Sequence, residues 1–330
     1  MVWYNSDLKN VIHKITKKLT LTKGINMKIA MLGLGKMGGN MATRLIRNGI
    51  NVVGFDMSSE MVAKLEQEEN LIPANSVEDA VNQLEGQRII WMMLPAGEVT
   101  EKQIDDLIPM LNPGDIIVDG GNSNYKHSVK IGAMLKEHNI GFMDCGTSGG
   151  VWGLDNGYCL MVGADNDVAK AVEPVLRALA PNQQDGWLHV GPIGSGHYTK
   201  MIHNGIEYGM MESFAEGLEL LKGKTEFDID LAKVTELWRH GSVVRSWLLD
   251  LTAESLKGDQ NLDNIEPYVA DSGEGRWTVV ESVDLGIPAP VLTLALQVRF
   301  RSQEKQKGYG YKLLSIMRNA FGGHLLRKKG

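Results

Sequence analysis

One stretch of the chain places reactive side chains where a helix normally carries its core. Residues 196–217 read GHYTKMIHNGIEYGMMESFAEG. Lys200, His203, Asn204, Glu207 and Tyr208 fall at offsets 0, 3, 4, 7 and 8, the spacing of an apolar stripe. An amine and a carboxylate two helical turns apart suit a reaction that moves two protons. A lysine serves as base where burial or neighbouring charge lowers its pKa towards neutrality. In that reading Lys200 takes the proton of an alcohol being oxidised, and Glu207 gives a proton elsewhere on the substrate. The competing reading is a solvated surface face. Gly205 and Gly209 weigh against it, because each weakens a helix by about 1 kcal/mol relative to alanine. Glycines there would let another group come close to the helix.

The elements that must position this stripe begin at Met27, where apolar runs alternate with helical patterns: MKIAMLGLG, KMGGNMATRLIRNG, INVVGFD, SSEMVAKLEQEE, then QRIIWMMLP, VTEKQIDDLIPML, GDIIVDGG, SNYKHSVKIGAMLKEHN and IGFMDCG. Such alternation predicts βαβ units and a mostly parallel, doubly wound sheet of Rossmann type. The first turn is Gly33-Leu34-Gly35-Lys36-Met37-Gly38, a G-x-G-x-x-G that leaves a strand and opens a helix. Its glycines permit a tight turn, close approach to a pyrophosphate and helix-on-strand packing, and the helix N-terminus supplies N–H groups to phosphates. Asp56 ends the second strand, 18 residues beyond Gly38, where a carboxylate accepts from ribose hydroxyls. Its charge would repel a 2′-phosphate, and Met57-Ser58-Ser59 offer no arginine, so NAD is expected over NADP.

Further loops follow strands on the expected ligand side: LPAGEV with Leu94, Pro95 and Ala96, DGGNSNY with Asn122 and Ser123, and CGTSGG with Ser148, Gly149 and Gly150. Asn122 and Ser123 are placed to meet a nicotinamide or a substrate, although the same residues also read as a turn and helix cap. Beyond the cluster Gly191–Gly196 the pattern turns helical, including VVRSWLLDLTAESL and PAPVLTLALQVRFRSQEK. The expected organisation is an N-terminal extension (1–26), a dinucleotide-binding domain (27–192) and an all-α domain (193–330) for substrate binding and oligomerisation, with a cleft between the last two.

Composition narrows the classes. Of 330 residues 43% are hydrophobic and 22% charged, a globular balance. The net charge of −6 argues against a nucleic-acid binder, and no apolar run is long enough to suggest a membrane span. Residues 1–26 differ, with five lysines against the single acid Asp7. They lack arginine and a signal-type apolar stretch, and read as an extension or a misassigned start rather than a targeting peptide. Cys145 and Cys159 are too few for a disulfide framework, which points to a reducing cytoplasm, and no metal site is expected.

The motifs GLGKMGGN, DGGNS, GTSGG, GSGHYTKMIHNGIEYGMME, GRWT and RNAFGGH together resemble the decarboxylating 6-phosphogluconate dehydrogenases in their shorter bacterial form, within the β-hydroxyacid dehydrogenase superfamily. The resemblance runs from Met27 to the end. It implies oxidation and decarboxylation of 6-phosphogluconate to ribulose 5-phosphate in the pentose phosphate pathway, with NAD preferred and NADP as the alternative. It makes Lys200 the base at the 3-hydroxyl and Glu207 the acid that protonates C1. It assigns the sugar acid to Asn122, Ser148, Gly149, Gly150, His203 and Asn204, and its phosphate to Tyr208 and Arg299, with Arg301 close enough to compete. Arg318 and His324 match residues that the family contributes from a neighbouring subunit's tail, which would require at least a dimer; short members are often tetramers. Ser272 stands where long members carry a phosphate-binding lysine, and Asp56-Met57-Ser58 where NADP users carry Asn-Arg-Thr. Under this resemblance the two glycines leave room for the sugar phosphate along the helix. A non-decarboxylating 3-hydroxyisobutyrate-type dehydrogenase is the competing enzyme, and would need neither Glu207 nor the arginines.

Overall fold

The structure, a computed structural model, describes residues 27–304 and 308–328. The N-terminal extension lies outside the described residues. The first part runs β1 (Lys28–Leu32), α1 (Lys36–Arg47), β2 (Asn51–Phe55), α2 (Ser59–Glu69), β3 (Ile72–Pro73), α3 (Val77–Asn82), β4 (Ile89–Met92), α4 (Glu98–Leu107), β5 (Ile116–Asp119), α5 (Tyr125–Glu137), β6 (Gly141–Ser148), α6 (Gly153–Asn156), β7 (Cys159–Ala164), α7 (Asn166–Leu179) and β8 (Trp187–Gly191). Helices α8 (Ser195–Gly223), α9 (Leu231–Trp238), α10 (Trp247–Gly258), α11 (Glu274–Asp284), α12 (Pro290–Ser302) and α13 (Tyr309–Gly322) follow.

The strands form one eight-stranded sheet in the order β3-β2-β1-β4-β5-β6-β7-β8. It is parallel up to β6; β7 pairs antiparallel with β6, and β8 runs parallel to β7. The central strands β4 and β5 are buried at every position, which is why they read as unbroken apolar runs. Alternate residues feed opposite layers. Ile29, Met31, Trp91 and Val118 pack under α1 and α7, while Ala30, Leu32, Ile90 and Ile117 pack under α3, α4 and α5. A third core, with Met211, Leu218, Leu256, Leu296, Leu313 and Met317, holds the helical part. Side-chain caps set several helix starts: Ser58 accepts from Met61 N, Asn124 from Lys126 N, and Ser246 from Leu249 N. The last of these starts α10 at Trp247, so Val243–Ser246, expected as helix, precede it as a turn.

Helix α8 ties the two parts together. Its first turn lies on the sheet so closely that a Cβ on Gly196 would stand 2.4 Å from Asp144 O. Asp144 fixes this end: its carboxylate accepts from Gly194 N at 2.6 Å and His197 N at 2.7 Å, and the His197 ring meets Ser128 Oγ at 2.8 Å. Farther on, α8 enters the helical core against α11, α12 and α13.

Candidate active site

The sheet order reverses between β1 and β4, and the loops leaving those strands form the crevice where dinucleotides bind in such folds. A Cβ on Gly33 would stand 2.5 Å from Met93 O, and one on Gly38 would stand 1.9 Å from Gly33 O, so both positions require glycine. A Cβ on Gly35 would meet nothing within 4 Å, which leaves open space above the N-terminus of α1. That N-terminus has no side-chain cap and no acid in its first turn, so its N–H groups and the exposed Lys36 are free to meet phosphates. Leu34 N donates to Asp56 Oδ2 at 2.6 Å and Ser58 N to Oδ1 at 2.8 Å. Asp56 thus braces the glycine loop and keeps further lone pairs for ribose hydroxyls. Leu94 packs on Gly33 and is partly covered, whereas Pro95 and Ala96 are exposed on the rim and Met37 is half-buried. These residues fit a dinucleotide.

Lys200 enters the site from α8 under β6, where a Cβ on Gly146 would stand 2.4 Å from its own Cβ. Burial holds its amine below the usual lysine value, against the pull of Glu207 and then Glu274. Burial lifts the Glu207 carboxyl, opposed by Lys200 and Arg299. Burial thus moves the pKa of the two groups towards each other. His203 lies beside Asn204, Nδ1 to Oδ1 at 3.0 Å, and burial followed by Lys200 lowers its pKa. Ser148 ends β6, and Gly149 and Gly150 both hold positive φ.

At the far end of the stripe Tyr208 is only 5% exposed. Its hydroxyl meets Ser272 Oγ at 3.4 Å, and Arg318 Nη2 donates to the same oxygen at 3.4 Å. The Arg299 guanidinium stacks on the Tyr208 ring, 3.4 Å from its centre. Arg299 is 2% exposed, and its Nε and Nη1 have no partner among the described residues. Burial above all, with Arg318 adding, brings it down to about 10. Arg301, the competing choice, is exposed on α12. His324 is driven down to about 4 by burial and then by Arg318 and Arg299, so it is neutral near pH 7.

Ser123 is buried and donates to Asp119 Oδ2 at 2.7 Å, and it still lines a cavity with Ala96, Asn124 and His127. One expectation changes. Gly205 and Gly209 do not make room for a ligand; Gly205 lies against Thr278 of α11 and Gly209 against Val291 and Leu292 of α12. Within the single chain described, Arg318 and His324 lie near the Tyr208–Ser272 end of the stripe. The tail folds back on its own body: Trp152 Nε1 donates to Ala320 O at 2.9 Å, Glu266 N to Arg327 O at 2.9 Å, and Gly150 lacks a side chain where Phe321 O approaches. Sequence reasoning missed Glu274 and Asp144, whose neighbours Asn122, Gly194 and His197 come from distant segments.

A glycine-loop crevice at the switch point beside the half-buried Lys200 and Glu207 defines a nicotinamide-cofactor dehydrogenase. Two family profiles match the chain: NAD binding domain of 6-phosphogluconate dehydrogenase over residues 28–191, and 6-phosphogluconate dehydrogenase, C-terminal domain, over 196–327. A putative 6-phosphogluconate dehydrogenase of Bacillus subtilis is 41% identical over 92% of this chain and 100% of its own length. The NAD(+)-dependent, decarboxylating enzyme of Haloferax volcanii is 38% identical over 92% and 99%. The Plasmodium falciparum 6-phosphogluconate dehydrogenase, solved apo, with NADP+ and with 6-phosphogluconate, superposes with a TM-score of 0.76 at 30% identity, covering 84% of this chain and 62% of that one. The chain belongs to the 6-phosphogluconate dehydrogenase family.

Proposed function

We propose that the protein oxidises and decarboxylates 6-phosphogluconate to ribulose 5-phosphate and carbon dioxide. The buried, unpaired guanidinium of Arg299 carries this reading, because an orphaned cation beside Tyr208, Ser272 and Arg318 calls for an anion such as the sugar phosphate. A hydroxyisobutyrate-type dehydrogenase has no use for it. NAD, when bound, supplies the hydride acceptor. Lys200 takes the 3-hydroxyl proton; the resulting β-keto acid loses carbon dioxide, and Lys200 returns its proton towards the C3 oxygen as the enediol forms. Glu207, whose carboxyl pKa is raised by burial, delivers the proton to C1. Asn122, Ser148, Gly149, Gly150, His203 and Asn204 hold the sugar acid, and Tyr208, Arg299, Arg318 and His324 its phosphate end. Equal release of NADH and carbon dioxide from 6-phosphogluconate is the expected result; NADH without carbon dioxide would overturn it.

The Asp56 carboxylate beside the glycine loop supports NAD over NADP. We expect kcat/KM to favour NAD by tenfold or more, roughly 1.4 kcal/mol, and an NADP preference would refute this role. The site is completed by the chain's own tail. Self-association is supported separately by an exposed apolar face of Val283, Leu285, Ile287, Val291 and Leu294. Sedimentation gives the number of chains. A mixture of Lys200→Met and Arg318→Ala chains, allowed to exchange subunits, should stay at the residual activity of either variant. Recovered activity would mean that tails act between subunits.

A further inference from the structure

Glu274, the first residue of α11, is unusual for an acid: it is 4% exposed. Its Oε1 accepts from Asn122 Nδ2, and its Oε2 has no partner among the described residues. Thr278, one turn on, locks α11 to α8 by donating to Met201 O at 2.9 Å, with Glu274 O at 2.9 Å from the same hydroxyl. Gly275 lacks a side chain where the Tyr208 ring packs. The start of α11 therefore lies along the stripe from Lys200 to Tyr208.

We propose that Glu274 is a positioning residue of the reaction: it fixes which end of the Asn122 amide faces the substrate and places a second carboxyl group, besides that of Glu207, near Lys200. Asn122 Nδ2 donates to Glu274 Oε1, so the amide turns its carbonyl oxygen to the cleft. Asn122 then presents an acceptor, suited to a sugar hydroxyl. The inference rests on the function proposed above.

The charge has a distinct signature. The groups around the pair are His203 on α8, Cys159 on β7, Glu274 on α11, Arg299 on α12 and Arg318 on α13. Of these, Glu274 favours the protonated forms of both Lys200 and Glu207. Removing its charge lowers both proton affinities, so both limbs of the pH profile move to lower pH together. Loosening the site acts differently. Water would raise the lysine and lower the glutamate, and the two macroscopic pKa values would move apart.

The test is kcat/KM for 6-phosphogluconate against pH in wild type, Glu274→Gln and Glu274→Asp. Glu274→Gln should shift both limbs down by about half a unit or more and raise KM for the sugar acid more than KM for NAD. Glu274→Asp, which keeps the charge, should leave the limbs near wild type. Unmoved limbs in Glu274→Gln, limbs that separate, or a Gln variant that fails to fold would each assign the carboxylate a purely structural role and overturn the proposal. Wild-type protein that does not turn over 6-phosphogluconate would overturn this proposal together with the function; turnover with unmoved limbs would overturn the role of Glu274 alone.

Discussion

Lys200→Met should lower kcat by about two to four orders of magnitude, the usual worth of a positioned general base, with NADH and carbon dioxide lost together. Methionine keeps the length and apolar stem of the side chain, so packing under Gly146 survives and the change is confined to the amine. A base needs the neutral amine, and the site moves Lys200 in that direction by desolvation rather than by a neighbouring cation. Burial depresses the Lys200 pKa, while Glu207 and Glu274 hold it from falling further. Substrate binding should change little, because the proposed phosphate cluster of Tyr208, Ser272, Arg299 and Arg318 lies two turns away. A fall in kcat with KM near wild type is therefore the expected pattern, followed through NADH absorbance and released carbon dioxide. A variant that keeps a tenth or more of wild-type kcat would remove Lys200 from the role of base.

What could be read in the sequence was whatever repeats at a local period. The polar stripe of α8 keeps helical spacing, the glycine fingerprint sits within one strand–turn–helix unit, and the buried strands β4 and β5 are continuous apolar runs. Two strands escaped for the same reason: β3 has only two residues, and the edge strand β8 carries His189 and few buried positions. The parts of the site that stayed hidden depend on distant partners. Glu274 looks like an ordinary helix-start acid until α11 is laid along α8. Asp144 looks like a strand residue in FMDCG until the N-terminus of α8 arrives above it. The glycines of α8 were correctly read as close-approach positions, but spacing cannot say what approaches, and the approaching groups are Thr278, Val291 and Leu292 rather than a ligand. Nor can a motif such as RNAFGGH say whose site it completes, because the contacts of the tail, such as Arg327 on Tyr268 and Lys328 beside Ile265, are made with distant segments.

Arg299→Met should produce effects of opposite sign on stability and on substrate binding. In the free protein the guanidinium is buried, its Nε and Nη1 are unsatisfied, and Arg318 repels it. Its compensation is the stack on Tyr208, worth about 0.5–2 kcal/mol. Replacing buried charge by a well-packed apolar side chain is often neutral or stabilising by about 1–4 kcal/mol. The ligand-free variant should accordingly melt no lower than wild type, and higher if methionine fills the space over the Tyr208 ring. The substrate should pay for that gain. Charge-assisted hydrogen bonds to the phosphate are each worth about 1.5–3 kcal/mol, so KM for 6-phosphogluconate should rise by roughly tenfold to a hundredfold or more. The rise in melting temperature that 6-phosphogluconate gives the wild type through selective binding to the folded state should shrink in proportion. Stability held in reserve for an anion is the pattern expected of a binding residue rather than a structural one. A lowered melting temperature with an unchanged KM would make Arg299 a structural residue, and would move the phosphate to Arg318 and Ser272 alone.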